Sequence, residues 1–342
     1  MKKNIITIGI ALILVALLFG ACGPGGPTAE KPLELSYSNF FPPTHGNSVA
    51  AESWIAEIEK RTGGRVKITY YPGGTLTPAD QCYDGVVKGI SDIGMTCLAY
   101  TRGRFPFMEG VDLPLGYTSG TVATRVVNDI YQKYQPEELA DTHTLYFHAH
   151  GPGLLHTKTP VKTLDDIKGM KIRCTGLAAK IVEALGGTPV AMSQGETYEA
   201  IQKGTVSGTF GPIEVLKGWK QAEVIKHTTD CYHIGYTTAM WVGINLEKWN
   251  AMPEDIQDIF TEVSAEWIDV HAKVWDDADA AGREYTLSLD NEIIALSDEE
   301  ASRWIEAVDA LPDEYIAAMD AAGLPGGELV TEAKSLIKKY SQ

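Results

Sequence analysis

The chain has 342 residues, 29 basic and 45 acidic side chains, and a formal net charge of −16. Its length suits about two domains of roughly 150 residues each, and with 44% apolar residues there is material for both cores. The acidic balance argues against nucleic acid as a partner, because phosphate binding needs clustered cations. A charged fraction of 22% without a long like-charge block argues against an acidic disordered chain.

Met1-Lys2-Lys3 is a short cationic start, and Ile5 to Phe19 is almost wholly apolar. That run is short of the about 20 residues a membrane-spanning helix needs and fits the core of a secretory leader over residues 1–21. Phe19-Gly20-Ala21-Cys22 resembles a lipobox, which predicts lipidation at Cys22. An ordinary cleaved leader is the alternative. Residues 22–32 are rich in Gly and Pro and read as a flexible tether. Losing Lys2 and Lys3 with the leader takes the formal charge from −16 to −18. Cys82, Cys97, Cys174 and Cys231 remain. Export permits disulfides, but the spacing selects no pairing, and small buried side chains are the simpler reading.

Leu33 to Tyr37 alternates as a strand does. Asn47 to Thr62 reads as a helix with Val49, Trp54, Ile55 and Ile58 on its apolar stripe, stopped by Gly63-Gly64. Arg65 to Tyr71 alternates again and closes at Pro72-Gly73-Gly74. A second helix follows over about Pro78 to Lys88, then a strand over Ser91 to Met95. This is the pattern of a parallel α/β unit. It recurs with a strand at Thr144 to Ala149, a turn at Leu164-Asp165-Asp166 and a strand at Lys171 to Arg173. Helices at Leu177 to Leu185 and Thr197 to Lys203 and a strand at Val206 to Phe210 complete it. From Pro253 onward, Ile256, Ile259, Phe260, Val263, Trp267, Val270, Val274, Ala278 and Ala281 hold a helical spacing. One helix of that length spans about 50 Å and reaches across both lobes. Helices over Asp298 to Ala310 and Asp313 to Ala322 and a closing helix ending at Lys338-Lys339 finish the chain.

Several stretches together resemble the DctP-like solute-binding proteins of TRAP transporters. They are Val161 to Arg173, Glu196 to Gly208, Asn245 to Pro253, and Tyr71 to Gly74 followed by Gly89 to Gly94. The resemblance covers nearly all of the chain after the leader, in order. It implies an α/β, two-lobe periplasmic-binding-protein fold, type II-like, with a long helix bridging the lobes. On this reading residues 33–149 plus 239–275 form the first lobe. Residues 150–238 plus 276–342 form the second with the C-terminal helices. It also implies a receptor, not an enzyme. That receptor needs no cofactor or metal, acts as a monomer, and passes an organic acid to membrane permease subunits. The location expected is the periplasm or outer cell surface, held by a lipid anchor.

The resemblance puts a carboxylate-gripping arginine at Arg173. Guanidinium offers a planar fork of donors that matches a carboxylate. A second arginine that some relatives carry near Gly153 is absent, which favours a monocarboxylate. Ligands bind beyond the carboxyl ends of strands in open α/β sheets. Phe40 and Phe41 follow the first strand, and Thr96 and Tyr100 follow the third. From the second lobe Gln194, Phe210 and Gly211 are candidates, with Trp241 on a crossing segment and His150 at the cleft edge. Thr209-Phe210-Gly211-Pro212 stands where relatives often have a more polar segment, which points to an aromatic or otherwise apolar solute. Trp219 reads as packing between helices.

Two other classes stay open on the sequence. His148 and His150, with His143 near, suit a zinc enzyme, but a third ligand and a general base are not identifiable. No nucleophile elbow or P-loop is present. A lipidated ABC-type binding protein shares the two-lobe logic.

Overall fold

The computed structural model describes residues 31–342. The leader, Cys22 and most of the tether lie outside the described residues.

The chain begins with β1 (Leu33–Asn39), α1 (Gly46–Arg61), β2 (Val66–Tyr71), α2 (Cys82–Val87) and β3 (Ile93–Cys97). α3 (Gly120–Tyr134) and β4 (Thr142–Ala149) follow. It then crosses to β5 (Leu154–Thr157), β6 (Lys171–Cys174), α4 (Ala178–Ala184), β7 (Thr188–Ala191), α5 (Gln194–Gln202), β8 (Gly208–Gly211), α6 (Val215–Gly218) and β9 (His227–Asp230). β10 (Ala239–Asn245) and α7 (Leu246–Asn250) return to the start, and α8 (Glu254–Ser288) leaves again for β11 (Glu292–Ala295). α9 (Asp298–Val308), α10 (Leu311–Ala321) and α11 (Gly326–Tyr340) end the chain.

Two sheets result, ordered β2-β1-β3-β10-β4 and β11-β9-β5-β8-β6-β7. β1 and β3 are parallel, and β10 runs antiparallel between β3 and β4. In the second sheet β6 is parallel to β7 and β8, while β5 is antiparallel to β8 and β9. Each sheet is the centre of one α/β lobe, so the first lobe is discontinuous in sequence. The four described cysteines are buried free thiols.

α8 is the bridging helix expected from the apolar spacing, with 35 residues. Glu254 and Asp255 in its first turn suit the positive end of the helix dipole. Its first half packs on α1, α3 and β4, and its later turns meet α6 and β11. Hydrogen bonds run along its length. Trp267 Nε1 donates to Ala50 O at 2.9 Å, and Asp276 Oδ1 accepts from Gly120 N at 2.7 Å. Asp279 Oδ1 accepts from Glu214 N at 3.1 Å, and Arg283 pairs with Asp230 at 2.9 Å. At Gly282 the helix rides against the Ile213 backbone, where an added Cβ would lie 2.4 Å from Ile213 O.

Two expectations differ from what folds. Val49 is 55% exposed, so it does not belong to the buried stripe of α1. The C-terminal helices do not all stay with the second sheet. α9 lies beside α4, but α11 packs on α3 of the first lobe, with Tyr340 donating to Asp129 at 2.6 Å and Lys133 paired to Glu332 at 2.7 Å. The apolar face of α11 (Leu329, Val330, Ala333, Leu336, Ile337) needs cover, and sequence shows the face without its partner.

Candidate ligand site

The site is built where strand ends of both sheets face each other. Phe40 and Phe41 sit on the turn after β1. Asn39 Oδ1 accepts from Phe41 N at 2.8 Å, and Phe41 O accepts from Gly73 N at 2.8 Å. Gly74 N donates to Asn39 O at 2.9 Å. Gly73 and Gly74 have φ of 67° and 69°, a conformation that glycine adopts without strain. The Pro72-Gly73-Gly74 turn therefore holds the aromatic loop by backbone donors.

The rings form a wall. Phe40 stacks on Phe41 with centroids 4.4 Å apart and meets Tyr100 edge-on at 5.4 Å. Trp219, from the second lobe, stacks on Phe40 at 6.2 Å. Opposite them Phe210 and Tyr236 stack at 4.8 Å, nearly parallel. The space enclosed between the walls is about 30 Å³, too small for an organic acid until side chains or lobes move apart.

Arg173 lines this space and is only 5% exposed. On β6 its neighbours Ile172 and Cys174 point into the opposite layer, as strand alternation requires. Arg173 Nε and Nη2 donate to Met192 O at 3.2 and 3.0 Å, which fixes the guanidinium plane. Among the described residues no carboxylate pairs with it. The Tyr100 hydroxyl lies beside it and accepts from Gln194 N at 3.1 Å, joining the lobes. Burial raises the Tyr100 pKa, so the phenol stays neutral. The Gln194 side chain also lines the space, with Nε2 buried and unpartnered. A buried cation without an anion and a buried amide without a partner are groups that a bound acid would satisfy.

Eight residues singled out in the sequence line one cavity, namely Phe40, Phe41, Tyr100, His150, Arg173, Gln194, Phe210 and Gly211. Thr96 and Trp241 do not. Thr96 turns away and donates to Ala79 O at 2.6 Å. Trp241 is fully buried against Tyr83 and donates to Thr144 Oγ1 at 3.0 Å. In both cases the neighbour one position along lines the cavity instead, Cys97 and Met240. Side chains alternate along a strand, so a one-residue error changes the face. Trp219 lines the cavity and is not simply helix packing. Tyr236, Glu214 and Trp275 were not legible as lining residues, because they come from a turn, a loop and the bridging helix.

Gly153 shows why a second arginine has no room. An added Cβ would lie 1.8 Å from Tyr236 Cε1. The Tyr236 ring occupies the space that a side chain at 153 would need. The histidine pair read as a zinc candidate is divided. His148 stacks on His271 at 4.2 Å, and its Nδ1 accepts from Trp275 Nε1 at 2.9 Å. His143 stacks on Trp249 at 3.7 Å. Among the described residues no group of three or more His, Cys, Asp or Glu could hold a metal ion.

Comparison with known proteins decides the family. The model of DctP, bacterial extracellular solute-binding protein family 7, matches residues 37–318. The chain belongs to this family. Its members include TRAP periplasmic solute-binding proteins, and the match favours that type over the ABC type. A TRAP periplasmic solute-binding protein from Desulfovibrio salexigens is 35% identical, with a TM-score of 0.79 and coverage of 90% of this chain and 96% of that one. A TRAP solute-binding protein from Rhodoferax ferrireducens, solved with copurified benzoate, is 29% identical, with a TM-score of 0.85 and coverage of 90% and 98%. A monocarboxylate 2-oxoacid-binding periplasmic protein from Nostoc sp. is 27% identical over 66% of this chain and 64% of its own length. This DctP-family chain thus has the fold of an extracytoplasmic transport receptor. Among the described residues no helix is long and apolar enough to cross a membrane.

Proposed function

We propose that this DctP-family protein captures a monocarboxylic acid with an aromatic or otherwise apolar body. It closes its lobes on the acid and delivers it to a TRAP membrane permease. The observation that carries this reading is Arg173, a buried guanidinium without a carboxylate partner, at the edge of an aromatic-walled space. Arg173 grips the carboxylate, and Gln194 offers its unpartnered amide donor. Phe40, Phe41, Trp219, Phe210 and Tyr236 cover the body of the solute.

Tyr236 fills the place beside Gly153, which speaks against a second charged group on the solute. The benzoate in the Rhodoferax relative fits the same chemistry. Capture is a population shift toward the closed form, driven by contacts made from both lobes at once. A chain carrying −16 repels anions at a distance, so selectivity rests on the local cation. In the cell the receptor works as a monomer, tethered through lipidated Cys22.

Calorimetric titration with a panel of organic acids tests the reading. Aromatic monocarboxylates should bind best, and Arg173→Ala should weaken them at least about tenfold with circular dichroism unchanged. Preference for small dicarboxylates, or an unchanged Kd in the variant, would overturn it.

A further inference from the structure

His150 is held in one tautomer by its own loop. Nδ1 lies 2.5 Å from Gly151 O, and a carbonyl oxygen only accepts. Nδ1 therefore carries the proton, and Nε2 of the neutral ring is a lone-pair acceptor. Burial pushes the imidazole pKa down to about 4, and nearby Arg173 acts in the same direction. The residue is held at its backbone and at its ring. Thr237 Oγ1 donates to His150 O at 2.5 Å, Tyr236 meets the ring edge-on at 5.6 Å, and Trp275 stands 6.0 Å away.

His150 lines the cavity, and among the described residues no protein donor bonds Nε2. The Arg173 guanidinium and Gln194 Nε2 are donors prepared for a solute carboxylate. Glu214, the carboxylate on the wall, accepts from His45 through Oε2 at 2.9 Å. The cavity thus offers donors that suit a carboxylate and, at His150 Nε2, an acceptor that a plain aromatic acid leaves unused. An acceptor left unpaired in a closed, dry cavity carries a penalty that a hydroxyl on the solute removes.

We propose that His150 is a specificity residue whose Nε2 accepts a hydrogen bond from a hydroxyl on the solute body. The preferred class is then hydroxylated monocarboxylic acids over their parent acids. This rests on the monocarboxylate reading above. The gain expected is about tenfold, the size of one buried hydrogen bond.

The test is calorimetry with matched pairs, benzoate against 3-hydroxybenzoate and phenylacetate against mandelate and 3-hydroxyphenylacetate. At least one hydroxylated acid should bind about tenfold tighter than its parent. His150→Phe should bind the members of each pair alike, and His150→Gln, which keeps an acceptor, should retain the preference. Equal binding of hydroxylated and parent acids by the wild type overturns the proposal, as does a preference that survives in His150→Phe. Binding of none of the acids removes the monocarboxylate reading and this proposal with it.

Discussion

His45 Nε2 donates to Glu214 Oε2 across 2.9 Å, and this bond joins the two lobes. His45 caps α1 in the first lobe, while Glu214 follows β8 in the second. The backbone N–H of Asn47 donates to His45 Nδ1 at 3.2 Å, so Nε2 must carry the proton. Both side chains are buried, 2% and 3% exposed. Removing His45 leaves a buried carboxylate without its partner, whereas Glu214→Gln keeps an acceptor. His45→Ala should cost about 3 kcal/mol in urea unfolding and weaken solute binding. Glu214→Gln should cost under about 1.5 kcal/mol. An unchanged midpoint in His45→Ala would count against a latch.

Gly153 and Tyr236 should behave as one unit. An added methyl at Gly153 meets the Tyr236 ring, which in turn stacks on Phe210. Gly153→Ala should destabilise by about 1–3 kcal/mol through overpacking. Adding Tyr236→Ala should relieve part of that loss. A double-mutant cycle in urea reads the coupling, and simple additivity would contradict it.

The two tryptophans make opposite predictions. Trp219→Ala should weaken aromatic acids about tenfold by removing a stacking wall. Trp241→Phe should lower the melting temperature and leave the Kd unchanged, because Trp241 lies in the core away from the cavity. Titration and thermal melts of the two variants separate these roles.

Asp279 on α8 should set part of the pH dependence of stability. Burial pushes its pKa up to about 8, with Glu214 and Asp276 adding to the rise. Accepting from Glu214 N and the nearby Arg283 work against it. The unfolded chain returns it to about 3.9. Between those values the folded state binds the extra proton, so stability is greatest on the acidic side and falls as pH rises toward about 8. Asp279→Asn should flatten that fall. Melting temperatures of wild type and variant at pH 5 and pH 8 give the comparison. Equal slopes would show that Asp279 does not titrate differently on folding.

Periodicity and turn residues made much of this fold legible. The α/β alternation, α8 and the loops after β1 and β3 follow from local patterns, because apolar spacing, glycine and proline act on their own segment. β5, β7, β9, β10 and β11 were less visible. Except for β10, they are short, and their pairing joins residues far apart in the chain, such as Ala239 with Ala149. Resemblance and strand-end topology located Phe40, Phe41, Tyr100, Arg173, Gln194 and Phe210. Choosing Met240 over Trp241 and Cys97 over Thr96 needs the exact strand register.

The acidic composition, the leader-like start and the amphipathic run from Pro253 were properties of the sequence by itself, since each depends on residue type and local spacing. Only the tertiary structure decided that Arg173 is buried without a carboxylate partner and that Tyr236 takes the space beside Gly153. It also decided that His150, with Nδ1 bonded to its own loop, lines the same cavity. These relationships join residues from different segments through packing and exclusion of water, and no local pattern encodes which distant groups meet.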